Sequence, residues 1–195
     1  MSEQEWTARS SGAVQCAPVL AGIKPANTLR VGRQIGRRTI ERILAGTGLA
    51  CELLCRGRWR NTWLVYRQEE LAELLRDPQR RAFLQKYGYI DFSMSAVLAR
   101  LAHRLAAHQR GAEYPHEVGI LLGYPLEDVL GFVENKGKDP LCTGYWKVYG
   151  DVARAERTFA LFHRARRRAA RAVEQGMSFR ELAEILRDRW TAEAV

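Results

Sequence analysis

Lysine is scarce in this chain: five of its 31 basic residues are lysines, so arginine carries most of the formal net charge of +9. Such an excess invites a nucleic-acid or anionic-surface reading. Much of the arginine, however, falls in helix-like segments such as "RARRR" at 164–168, where a solvated face is the simpler explanation. Long apolar runs are also missing, and none approaches the roughly 20 residues of a membrane span. The opening "MSEQEWTARSSG" is polar and lacks the apolar core of a signal peptide. A cytoplasmic protein without a membrane partner is expected. Cysteine is sparse as well, with four residues, Cys16, Cys51, Cys55 and Cys142, expected to be reduced in that compartment. Cys51 and Cys55 have no nearby Cys or His pair at zinc spacing, so no metal is expected. Internal repeats and low-complexity blocks are absent.

What is present suits one folded domain. The chain has 195 residues, 47% of them hydrophobic, enough to bury a core. Residues 1–14 read as a flexible tail, and residues 15–195 as a single helix-rich α+β (or α/β) domain with a small sheet and C-terminal helices. "CAPVLAGI" is an apolar run ended by Lys24-Pro25 and is expected to be extended. Asn27 is expected to cap a helix carrying Leu29, Ile35, Ile40, Ile43 and Leu44. "LACELLC" and "NTWLVYR" around Arg56-Gly57-Arg58 predict a hairpin. Helices are then predicted for "EELAELL", stopped at Asp77-Pro78, and for 93–108, where Met94, Val97, Leu98, Leu101 and Leu105 recur at helical spacing. Two short helices flank Gly123-Tyr124-Pro125, "YWKVY" is a third strand, and a basic helix runs from Asp151 toward Glu174. Ser178 and Glu181 form a capping box opening the last helix.

"EVGILLGYPLEDV" imitates a helix-turn-helix. Its second helix would nevertheless lead with Glu127 and Asp128, carboxylates that a phosphate backbone repels. The helix is expected to bury Leu126, Val129, Leu130 and Val133 and to turn Glu127, Asp128 and Glu134 to solvent or a lysine. "GRQIGRRT" lacks the Gly-Lys-Ser/Thr of a phosphate loop, and His116-Glu117 lacks the second histidine of a zinc-protease helix.

Three segments, "CAPVLAGIKPANT", "YPHEVGILLGYPLEDVLGFVENKG" and "CTGYWKVYGD", resemble in order the signatures of an uncharacterised bacterial family, domain of unknown function 3793. The resemblance spans about residues 16–151. It implies a common fold and a shared pocket, and supplies neither an activity nor catalytic residues. Members are common in anaerobic bacteria and lie near flavodoxin and iron-transport genes, which implies redox or iron metabolism. "FHRARRRAARAVEQG" departs from the more cysteine- and tyrosine-bearing helix of the family.

The residues themselves point to the same segments. Of the five lysines, Lys24, Lys136 and Lys147 lie in them and Lys138 directly follows the second, and lysine is a point charge whose pKa responds to burial. A ligand-binding set of Lys24, Asn27, Tyr124, Asn135, Lys136, Tyr145, Trp146, Lys147 and Tyr149 is therefore expected, its cofactor unidentified. Cys16, Cys142 and His116 are candidate reactive groups, since a nearby ammonium lowers a thiol pKa. Each cysteine equally suits a small buried apolar residue. Strand alternation puts Tyr145, Lys147 and Tyr149 on one face, expected to line a cleft. The partners expected are a small anionic ligand or a redox partner protein. The alternative is a non-enzymatic adaptor or nucleic-acid-binding protein using the Arg-rich C-terminal helix.

Overall fold

A computed structural model describes the backbone of residues 3–193 and the side chains of residues 11–187. At its centre β1 (Ala26–Gly32), β2 (Ala50–Arg56) and β3 (Arg60–Tyr66) form an antiparallel sheet in the order β1-β3-β2. β3 pairs on both sides, Trp63 standing opposite Leu29 and Leu53. Trp63 and Val65 enter one apolar core while Leu64 and Tyr66 enter another. A strand covered on both faces needs an unbroken apolar run, and "WLVY" supplies it.

The helices, in chain order, are α1 (Glu3–Leu20), α2 (Arg37–Leu44), α3 (Gln68–Leu74), α4 (Pro78–Gln85), α5 (Met94–His108), α6 (Val118–Leu121), α7 (Leu126–Glu134), α8 (Val152–Glu174) and α9 (Phe179–Glu193). Between α7 and α8 lies a small ribbon of β4 (Cys142–Thr143) and β5 (Lys147–Val148). α1, α8 and α9 cover one face of the sheet through Cys16, Leu20, Ala165, Ala169 and Leu182. α3 to α7 cover the other through Leu71, Leu84, Leu98, Ile120 and Val129. The result is an α+β fold, helix-rich, with a small antiparallel sheet and C-terminal helices.

Some expected elements differ. Cys16–Leu20 of "CAPVLAGI" is the end of helix α1, which begins within the expected tail, and Ala21–Ile23 turn out of it; residues 1 and 2 lie outside the described residues. Pro18 sits inside this helix and, lacking an N–H, leaves the Val14 carbonyl without its i+4 donor. Arg166 Nε of α8 donates to that carbonyl at 3.3 Å. At the other end, the Arg67 guanidinium donates to the Val19 and Leu20 carbonyls, both at 2.9 Å. Tertiary partners thus complete a helix that its own sequence leaves open. The helix expected after Asn27 is strand β1 followed by α2: Leu29 and Val31 alternate toward α1. The expected strand "YWKVY" shrinks to Lys147–Val148, and α4 and β4 are additions, whereas the hairpin, α5, α8 and α9 follow the sequence signals. Asp77 caps α4 by accepting from Gln79 N at 2.8 Å and Arg80 N at 3.1 Å. Ser178 and Glu181 close the capping box reciprocally.

Candidate functional site

α7 and the β4–β5 ribbon are joined by one carboxylate. Asp128 is 3% exposed, and its Oδ1 accepts from Tyr149 N at 2.7 Å and Gly150 N at 2.8 Å. Its Oδ2 accepts from Trp146 Nε1 at 2.7 Å. Three donors satisfy a buried charge that would otherwise be costly, and they fix the indole. Gly131 permits the approach: a Cβ there would collide with the Tyr149 side chain.

The fixed indole walls a cleft of about 330 Å³. Tyr114, His116, Tyr124, Phe132, Tyr145 and Trp146 line it, with Thr143, Gly144 and Lys147 along the ribbon side. Trp146 stacks on Tyr124, ring centroids 4.9 Å apart and planes at 26°, and meets Phe159 edge-on at 4.5 Å. Such geometries suit the aromatic quadrupole. Tyr145 packs edge-on against Phe162 at 5.1 Å, and its hydroxyl lies 3.3 Å from His163 Nδ1. On the far wall His116 packs between Tyr114 and Phe132, centroids 5.3 and 4.8 Å away. Lys147 Nζ donates to the Gly137 carbonyl at 2.6 Å, which leaves two ammonium hydrogens for another acceptor.

A second charged group lies behind the Tyr124 wall. Lys24 is 7% exposed, with Nζ 3.1 Å from Asn27 Oδ1 and over the rings of Tyr124 and Phe162 at 5.3 and 5.5 Å. Burial pulls its ammonium down to about 8, Arg166 adding to the fall. Asn27 is anchored in turn by donating to the Gln15 and Thr28 carbonyls, each at 2.8 Å. Beside Lys24, Cys16 is fully buried. Burial pushes its thiol up to about 12 against the pull of Lys24 and Arg166. Desolvation therefore outweighs the ammonium, and Cys16 is held as a neutral thiol.

The family model described as "Protein of unknown function (DUF3793)" matches residues 13–183. The chain belongs to that family. No curated protein and no solved structure matches it. The span matched by the DUF3793 model includes every residue lining the cleft.

Within this DUF3793 fold the sequence-named residues do not all share one site. His116, Tyr124, Tyr145, Trp146 and Lys147 line the cleft, and Lys24 with Asn27 stands behind it. Asn135 and Lys136 are exposed at the C-terminal end of α7, where Asn135 Nδ2 donates to the Gly131 carbonyl at 2.8 Å. Tyr149 leaves the expected Tyr-Lys-Tyr face: its ring lies over Gly131 and its hydroxyl donates to the Lys138 carbonyl at 2.9 Å. Cys16 belongs to the core of α1 and the sheet, whereas Cys142 packs in a separate cluster with Val148, Ala155 and Phe159.

Asp128 corrects the sequence reading, because the ribbon's amides draw inward a carboxylate expected to face solvent. Glu127 and Glu134 are exposed as expected. Glu117, beside His116, is fully buried, pairs with Arg104 and accepts from the Tyr89 hydroxyl at 3.3 Å. On α8, Ala155, Phe159, Phe162, Ala165, Ala169 and Ala172 face inward, which leaves Arg157, Arg167 and Arg171 exposed. Among the described residues no group of three or more His, Cys, Asp or Glu side chains is placed to hold a metal, and no helix is long and apolar enough to cross a membrane.

Proposed function

We propose that the protein binds a small planar anion in the aromatic cleft, as a carrier or an enzyme of redox or iron metabolism. The observation that carries this reading is the union of an aromatic enclosure with one available ammonium. The cleft lies at the lower end of the range for small-ligand sites, which are typically apolar with a few placed polar groups. Tyr124, Trp146 and Phe132 offer ring faces or edges to a flat molecule, and Lys147 offers two hydrogens to its anionic group. Asp128 also lines the cleft, but its two oxygens are turned to three donors, which offsets part of its repulsion of an anion. Lys24 supports Tyr124 from behind and does not line the cleft.

Titration of the whole chain with flavin mononucleotide and with anilinonaphthalene sulfonate, followed by fluorescence, tests the proposal. Saturable one-to-one binding of at least one probe is expected. Lys147→Met should weaken it by roughly tenfold, the worth of one charge-assisted hydrogen bond, and Lys147→Arg should retain most of it. Thr143→Trp, at an exposed position on the rim, should block it. Absence of saturable binding to both probes, or unchanged binding in Thr143→Trp, would overturn the reading.

A further inference from the structure

The β2–β3 hairpin ends in "RGRWR", and its tip carries an aromatic residue that the fold does not use. Trp59 is 75% exposed. Arg58 stacks its guanidinium on the indole at 5.0 Å, while Arg56 and Arg60 flank it in sequence. Two more cations come from Arg30 of β1 and from Arg33 in the turn just after it. Arg33 N donates to the Trp59 carbonyl at 3.1 Å. Arg30 stands opposite Thr62, two residues from Arg60 on the same strand face, which is within cross-strand diagonal reach. Arg30, Arg33, Arg56, Arg58 and Arg60 are all exposed, and none forms a salt bridge among the described residues. The sequence supplies no local compensation: no carboxylate occurs between Glu5 and Glu41 or between Glu52 and Glu69.

The tip is also held in shape. Gly57 N donates to the Arg60 carbonyl at 3.1 Å, and a Cβ on Gly57 would collide with that oxygen. Little ordering would therefore be needed for Trp59 to meet a partner.

We propose that this hairpin tip is a docking site for single-stranded nucleic acid, with a base stacked on Trp59 and phosphates on the surrounding guanidiniums. Single strands alternate a flat base with a charged phosphate, and proteins meet them with aromatic platforms set in basic surroundings. Guanidinium forks match phosphate geometry in two-pronged hydrogen bonds. A membrane interface fits less well, because an anchoring surface needs an apolar face and the tip offers one indole set among arginines. An acidic peptide would leave the indole without a role. None of these residues lines the cleft, although Arg30 lies near enough to Tyr114 on the cleft wall to act on its hydroxyl.

The test is fluorescence anisotropy of a dye-labelled thymidine oligomer of about twelve nucleotides, titrated with the whole chain over a range of salt. Five phosphate contacts predict a log–log salt slope of about −3.5 at roughly 0.7 per contact. Trp59→Ala should weaken binding by about tenfold, the lower part of the range for losing one stacked base. Arg56→Ala with Arg58→Ala should flatten the slope by about 1.4. All three side chains are exposed, and circular dichroism verifies that the variants fold. Absence of binding by the wild-type chain overturns the proposal, as does unchanged affinity in Trp59→Ala. So does loss confined to Arg167→Glu with Arg171→Glu on α8, or binding to phosphatidylserine vesicles without binding to the oligomer.

Discussion

Replacing Asp128 by alanine and, separately, by asparagine separates its hydrogen-bonding role from its shape. The carboxylate accepts three hydrogen bonds, from one side-chain and two backbone donors. Bonds to a charged acceptor contribute about 1.5–3 kcal/mol each, but the donor residues are only half-buried, so water can recover part of the loss. A cost of about 3–4 kcal/mol is expected for Asp128→Ala. In Asp128→Asn the amide oxygen can keep the two backbone donors while its NH2 faces Trp146 Nε1–H, donor against donor. The expected cost is about 1.5–2 kcal/mol, with the indole released from its position. Urea unfolding followed by circular dichroism measures both, as a shift in midpoint at constant slope. Equal losses in the two variants, or either within about 0.5 kcal/mol of wild type, would refute the reasoning.

Two further predictions concern buried charge. Burial lowers Lys24 from 10.5 to about 8 and raises Cys16 from 9.0 to about 12. The unfolded chain therefore holds the extra Lys24 proton between pH 8 and 10.5, and the folded chain the extra Cys16 proton between pH 9.0 and 12. Their combined contribution to stability should rise from pH 8 to 9.0, level off to 10.5 and fall above it. Comparing wild type with Lys24→Met and Cys16→Ala by urea midpoint against pH checks this: Lys24→Met should lose the rise and Cys16→Ala the fall. Arg104→Met should cost about 3–4 kcal/mol, because it strands the Glu117 carboxylate in the core. Adding Glu117→Gln should return more than half of that loss, as a double-mutant cycle in urea would reveal.

The hairpin was legible because its two runs alternate or stay apolar to either side of a turn, and local chemistry decides such an element. α1 was not. Its polar opening and Pro18 argue locally against a helix, while its stabilising partners, Arg67 and Arg166, lie far along the chain. β1 is masked because Ile40, Ile43 and Leu44 just beyond it recur at true helical spacing, while the short alternation of Leu29 and Val31 registers only beside β3. The cleft was partly legible, since the aromatic residues and Lys147 cluster in sequence. Asp128 was not, for no pattern within α7 announces that the amides of Tyr149 and Gly150 will arrive at its side. Phe132, Phe159 and Phe162 likewise read as ordinary apolar stripe until α8 crosses the ribbon.

The Arg166–Val14 hydrogen bond joins positions 152 residues apart, and this sets a timetable for the chain's own synthesis. α1 is made before α8 but carries a carbonyl that its proline cannot satisfy, and the matching guanidinium leaves the ribosome only with α8. Until then α1 has the sheet to lie on and no final partner. The hairpin, made entirely from nearby segments, has no such wait. Maturation of this protein is thus expected to begin in its middle and to close by bringing an early helix against a late one.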